Sequence, residues 1–336
     1  MGTTANTATT ANAAILLISI GATVASASAM AQTPSGSPGQ VFPAKSIRIV
    51  VPATPGGGTD ILSRLLSPKL TENLGQSMIV ENRAGASTNI GTEFVARAPP
   101  DGYTVLMATT PHAINPSLFA KLSFDPVRDF TMISQLALTQ NVLVVHPSLP
   151  VGNVKEFIAL AKARPDQLTA GTSGGTSGFL AIEMLRAAAQ IDVLNIAYKG
   201  AGAALNDIVA GHLQFQVNTT LAALPFIQSG RLRAIATCGA RRTTTLPQVP
   251  TVAETIKGFE SSGWYALLGP AGMPRDVVLK LHAAFSKSLQ APDIVKRLTE
   301  QGVDIVAGTP DELARLMPLE IAKWAAAVKA SGAKGN

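Results

Sequence analysis

Short runs rich in β-branched residues alternate with capped, amphipathic runs along this chain. That alternation restricts it to an α/β architecture with mostly parallel sheets. Ile47 to Val51, Met78 to Glu81, Tyr103 to Ala108 and Asn141 to Val145 read as strands. So do Leu168 to Gly171, Val193 to Tyr198, Leu232 to Thr237 and Trp264 to Leu268. Leu213, Phe215 and Val217 alternate with Gln214 and Gln216, as a half-exposed strand should. The helices are punctuated: Asn153 and Glu156 form a capping box ahead of Val154, Phe157, Ile158 and Ala161, and Pro165 stops that helix. Thr309, Pro310 and Glu312 make a second box, and Val278, Leu281, Phe285 and Leu289 mark another amphipathic face.

Charge divides the chain in two. The first charged side chain is Lys45, although 14% of the 336 residues are charged. Ala13 to Val24 is an apolar run followed by small residues and Ala29-Met30-Ala31, which reads as a signal peptide over 1–31, cleaved near Ala31. No Lys or Arg precedes that run, so an Ala/Thr-rich tail or a differently placed start codon is the other reading. Residues 32–41 follow as a flexible leader, rich in Pro, Gly and Ser. The remaining length is about twice that of a common domain, which favours two lobes.

Composition excludes several functions. Cys238 is the only cysteine, sits in an apolar run and reads as a buried small hydrophobe, not a nucleophile. His112, His146, His212 and His282 have no metal-ligand spacing, so neither a metal nor a cofactor is expected. The net charge of +6 is spread out and aromatics are 5%, which argues against nucleic acid and suits an anionic small molecule.

Two loops carry the candidate chemistry. Pro52 to Asp60 holds three glycines between a strand and the helix that begins with Ile61 and Leu62. Such a loop brings backbone N–H groups and the positive end of a helix up to an anion. Alternatively it is a tight turn capped by Thr59, with Asp60 favourably placed in the first helical turn. Gly171 to Gly178 repeats the design with four glycines and four hydroxyls, and a third turn runs from Asn82 to Ser87. Loops of this kind at strand ends can face one cleft. Gly171-Thr172-Ser173-Gly174-Gly175 also fits the nucleophile elbow, which would make an esterase with Asp207 and His212 or His282.

Read in series, these segments resemble a known family. Lys45 to Pro52 leads into Pro55-Gly56-Gly57-Gly58-Thr59-Asp60, then come Val80 to Ala86, Pro100 to Thr104, Asn115-Pro116 and His146 to Phe157. Tyr198-Lys199-Gly200, Arg231 to Ala234, Leu246 to Thr251, Trp264 and Pro270-Ala271-Gly272 continue the pattern. The whole, from about Phe42 to Gly332, is similar to the tripartite tricarboxylate transporter substrate-binding receptors, the Bug proteins. The resemblance implies a two-lobed periplasmic binding protein fold, type II-like, each lobe a mainly parallel sheet flanked by helices. It places lobe 1 at 42–140 plus 263–336 and lobe 2 at 141–262. It further implies a non-enzymatic, periplasmic, monomeric receptor that delivers a small carboxylate to membrane permease subunits. A sensor that presents ligand to a signalling partner is the alternative within the same class.

By the resemblance, Pro55, Gly57, Gly58 and Asp60 grip the ligand from one side and Ser173, Gly175, Thr176 and Ser177 from the other, with Ala86 and Ser87 on the rim. Asn218 is a further candidate. The family often has His where Phe179 stands, Asp where Asn218 stands, and two glycines where Ser87 and Thr88 stand. A more apolar wall around an apolar or aromatic acid is the expectation from Phe179 and Asn218, unless Phe179 points into the core and Asn218 caps a turn.

Overall fold

The computed structural model describes residues 42–335; the expected signal peptide and leader lie outside the described residues. The order of elements begins with β1 (Ile47–Val51), α1 (Gly58–Leu74), β2 (Met78–Asn82), α2 (Asn89–Ala96), β3 (Thr104–Thr109) and α3 (Pro111–Leu118). β1 lies between β2 and β3, parallel to both, with Ile49 opposite Val80 and Val105. Its Ile47, Ile49 and Val51 side chains are fully buried against Leu62, Leu66 and Leu70 of α1, which is why an apolar run and a four-residue helical repeat occur in succession.

β4 (Phe130–Val145) is much longer than the Asn141 to Val145 segment expected from sequence, and it joins the two parts of the sheet. Up to Gln140 it pairs antiparallel with a later strand, β9 (Ser262–Pro270); from Asn141 it pairs with β7 (Phe215–Thr219) and β8 (Arg233–Thr237). The second part contains α4 (Val154–Ala163), β5 (Thr169–Thr172), α5 (Ser177–Ala189), β6 (Leu194–Ala197), α6 (Ala201–Val209), β7 (Phe215–Thr219), α7 (Thr220–Gln228) and β8 (Arg233–Thr237). β5 runs parallel to β6 and β7. The edge-on Phe157 and Phe215 rings, 4.8 Å apart between centroids, sit in the core of this part.

The chain returns to the first part at Ser261, whose N–H donates to the Cys238 carbonyl. There follow β9 (Ser262–Pro270), α8 (Arg275–Leu289), α9 (Pro292–Glu300), β10 (Val303–Ile305) and α10 (Pro310–Ser331). Both parts are therefore mixed sheets, a difference from the mainly parallel ones expected. The parallel groups β2-β1-β3 and β6-β5-β7 are joined by antiparallel strands, because β4 and β9 run directly past each other instead of returning through a helix. The capping box at Thr309 is complete, with Thr309 Oγ1 accepting from the Glu312 N–H and the Glu312 carboxylate accepting from the Thr309 N–H. At Asn153 only the first half forms, since Glu156 turns instead to the Gly152 N–H.

Candidate functional site

A cavity lies where the carboxyl ends of β1, β3, β5 and β7 meet the crossing strands β4 and β9. It offers about 60 Å³ to the centres of water molecules. Its wall contains the helix N-cap residues Gly57 of α1, Thr88 of α2, Thr176 of α5, Gly200 of α6 and Thr219 of α7, with Thr109 and Pro111 at the entrance to α3. This many helix starts converge because a βα loop always leaves a strand at its carboxyl end. Each start carries a partial positive charge and unpaired N–H groups. Among the described residues no side chain caps α1, α2, α6 or α7. Thr176 satisfies only the Phe179 N–H of α5.

The side chains continue the theme. Thr59, Ser173, Ser177, Asn141 and Asn218 line the same space, and no Asp or Glu among the described residues does. Lys199 is the one lining residue with a cationic side chain, and it is exposed at the edge. At the floor, the Tyr265 hydroxyl and Thr219 Oγ1 are buried beside each other and near Thr139, and neither makes a well-formed hydrogen bond among the described residues. Burial pushes the Tyr265 phenol up to about 12, so it is a neutral donor. Gly58 is required beside them: a methyl group there would lie 2.7 Å from Thr219 Oγ1 and closer still to the Tyr265 hydroxyl.

Of the residues expected from sequence, the cavity gathers Gly57, Gly58, Ser173, Thr176, Ser177 and Asn218. The other five are elsewhere. The Asp60 carboxylate is buried and turned to the Gly56 N–H (3.0 Å), Arg64 Nε (2.9 Å) and Asn82 Nδ2 (3.0 Å). Burial alone would raise its pKa, but the Arg64, Gly56 and Asn82 hydrogen bonds outweigh it and hold the group below its ordinary value. Asp60 therefore fixes the loop internally. Pro55 presents its carbonyl to Gly202 across the cleft, and Gly175 packs on Asn115 and Ser87. Ala86 and Ser87 line a neighbouring chamber. Phe179 also reaches that chamber, and its ring is buried with Leu180 and Trp264, so the more apolar cavity wall expected from Phe179 is not there. Asn218 lines the cavity, and its Oδ1 also accepts from the adjacent Thr219 N–H at 2.8 Å, just before α7 begins.

The cavity wall also contains Tyr265, Thr219, Lys199 and Asn141, which sequence reasoning did not nominate. A tyrosine within the apolar Trp264 to Leu268 run was the available signal for the first, since a buried phenol needs a partner. The turn Ala86-Ser87-Thr88 has φ values of 44°, 54° and 78° in succession. Side-chain-bearing residues in this region cost of order 1–3 kcal/mol each, and such strain clusters at ligand clamps. Asn115 holds the turn by donating to the Ser87 carbonyl at 2.8 Å.

The model of the tripartite tricarboxylate transporter family receptor matches residues 62–333. The chain belongs to this family. Protein BugT of Bordetella pertussis is 35% identical over 299 residues, covering 87% of this chain and 91% of the relative. The periplasmic binding protein BugD superposes with a TM-score of 0.85 at 30% identity, over 87% of this chain and 99% of that one. MatC of Rhodopseudomonas palustris, solved with bound malate, superposes at 0.82 with 30% identity, over 85% of this chain and all of that one (100%). The fold is thus that of the periplasmic binding proteins, and the family consists of receptors, not enzymes. The elbow reading ends here too: Ser173 is absent from the residues with positive φ, and neither His212 nor His282 is in the cavity wall. Cys238 is the buried thiol expected, pushed up to about 12 by desolvation.

Proposed function

We propose that this chain is a periplasmic solute receptor that closes around a small carboxylate and delivers it to membrane permease subunits, working as a monomer. The observation that supports this best is the cavity wall, where five helix N-caps and a row of hydroxyls surround a space with no acidic residue among the described ones. Such a wall favours an anion and supplies no nucleophile–base pair. The two gripping lobes are 42–140 with 263–336, and 141–262. The contacts come from Gly57, Gly58, Ser173, Thr176, Ser177 and Asn218, together with Tyr265 and Thr219. Malate bound to MatC supports the carboxylate class. Among the described residues no helix is long and apolar enough to cross a membrane, which suits a receptor that depends on separate permease subunits.

The test is a thermal-shift screen of protein that has been unfolded, dialysed and refolded, against carboxylates, amines and neutral sugars. A ligand at 100 times its Kd adds about 2.7 kcal/mol of stability, which raises Tm by several degrees. Stabilisation by carboxylates alone is expected. Stabilisation by amines or sugars with none from carboxylates would refute the assignment.

A further inference from the structure

A ring of buried side chains lies where β4 changes partner, next to the cavity wall. The change falls between Gln140, opposite Ser262 of β9, and Asn141, opposite Thr219 of β7. Asn141 and Ser261, the residue before β9, flank this point, and both are fully buried. Backbone bonds tie them through Cys238: its N–H donates to the Asn141 carbonyl and its carbonyl accepts from the Ser261 N–H, each at 2.7 Å.

Their side chains close a ring with Ser177, the first residue of α5 and part of the cavity wall. Asn141 Nδ2 donates to the Ser261 carbonyl at 3.1 Å and to Ser261 Oγ at 3.2 Å. Ser261 Oγ donates in turn to the Ser177 carbonyl at 3.0 Å, and Ser177 Oγ donates to Asn141 Oδ1 at 3.3 Å. The Ser261 carbonyl can only accept, which fixes the orientation of the Asn141 amide and with it the direction of both hydroxyl protons.

The bond to the Ser177 carbonyl reaches the cavity, because that oxygen shares a peptide group with the Gly178 N–H. The group is trans and planar, so its C=O and N–H point in opposite directions and fixing one aims the other. Gly178 lines the cavity, and at the second position of α5 its N–H has no acceptor within the helix; none is found elsewhere among the described residues. A donor on the carbonyl also polarises the peptide, which strengthens the N–H as a donor. Ser261 itself is not part of the cavity wall. We propose that Ser261 is a positioning residue for the ligand: its hydroxyl, oriented by Asn141, holds the Ser177–Gly178 peptide so that the Gly178 N–H meets the bound carboxylate. This rests on the carboxylate reading above.

Gly178 cannot be replaced cleanly, since a side chain there would collide with the Val217 carbonyl oxygen, so Ser261→Ala isolates the hydroxyl instead. The probes are malate, adipate and benzoate, titrated calorimetrically into refolded, ligand-free protein. Ser261→Ala should weaken each acid that wild type binds by about threefold to tenfold, the range of one hydrogen bond. In protein labelled with nitrogen-15 at glycine, the Gly178 amide proton of wild type should move downfield as the acid saturates, and Ser261→Ala should reduce that movement. A merely structural hydroxyl would lower Tm and leave Kd and the Gly178 shift as in wild type, which would overturn the proposal. A wild-type Gly178 amide that does not respond to a bound acid overturns it too, whatever the fate of the variant. In both cases binding is still observed, and the carboxylate reading stands. Wild-type protein that binds none of these acids, nor any other carboxylate, overturns both.

Discussion

Tyr265 and Thr219 hold a buried hydroxyl each, close together, and neither makes a well-formed hydrogen bond among the described residues. Leaving such a group unpaired costs about 1–3 kcal/mol, a cost that a bound carboxylate would remove. Tyr265→Phe should therefore lower affinity for the preferred carboxylate by about tenfold or more, the value of one charged hydrogen bond. The same change should leave the Tm of ligand-free protein unchanged or raise it slightly. A lower Tm with unaltered Kd, measured by calorimetry on both proteins, would make the phenol structural instead. Asp60 teaches the converse. Its type and place in a glycine-rich loop before a helix suggested a ligand contact, yet the side chain is spent on Gly56, Arg64 and Asn82. Which way an acid points from a loop depends on a distant asparagine on β2, and sequence gives no distance.

At the scale of elements, local chemistry was readable and long-range pairing was not. β1, α4, α5 and α10 follow from apolar periodicity and caps. β4 does not, because its first ten residues pair with β9, more than 120 positions later. The contacts across the cleft were equally invisible. Four glycines of the β5–α5 and α6 entrances abut the opposite wall: Gly174 on Ser87, Gly175 on Asn115, Gly200 on Thr54 and Gly202 on Pro55 and Gly57. A methyl on Gly202 would lie 2.5 Å from the Pro55 carbonyl oxygen and 2.8 Å from the Gly57 nitrogen. Gly202 is in a helix with ordinary φ, so Gly202→Ala should by propensity stabilise α6 by up to about 1 kcal/mol. It should nevertheless weaken ligand binding at least tenfold by keeping the loops apart. Tm and Kd measured on one preparation test both halves; binding at wild-type strength would show that the seam need not close.

For the whole molecule, acid stability is set at a distance from the cleft. His112 is buried between Phe124 and Phe130, with Nε2 at 2.8 Å from the Pro126 carbonyl. Desolvation lowers its pKa from 6.5 to about 4, in spite of the Pro126 hydrogen bond. The unfolded chain therefore binds this proton more readily than the native one between those values. Stability is full above pH 6.5 and falls as pH drops to about 4, by roughly 3 kcal/mol at 1.36 kcal/mol per unit. Asp60 acts in a lower window, its contribution being lost only as pH falls below the ordinary value of 3.8. Urea unfolding of His112→Gln across pH 4 to 6.5 should show a flatter profile than wild type. Parallel profiles would place the acid sensitivity elsewhere.

The cavity itself behaves differently from His112, because five of its wall positions are helix starts. Peptide dipoles do not titrate. A grip made of them neither gains nor loses a proton with the surroundings, so it needs no buffered compartment to stay in its binding form. Over the range in which the fold itself persists, the acidity of the solute, and not of the protein, then decides when capture stops.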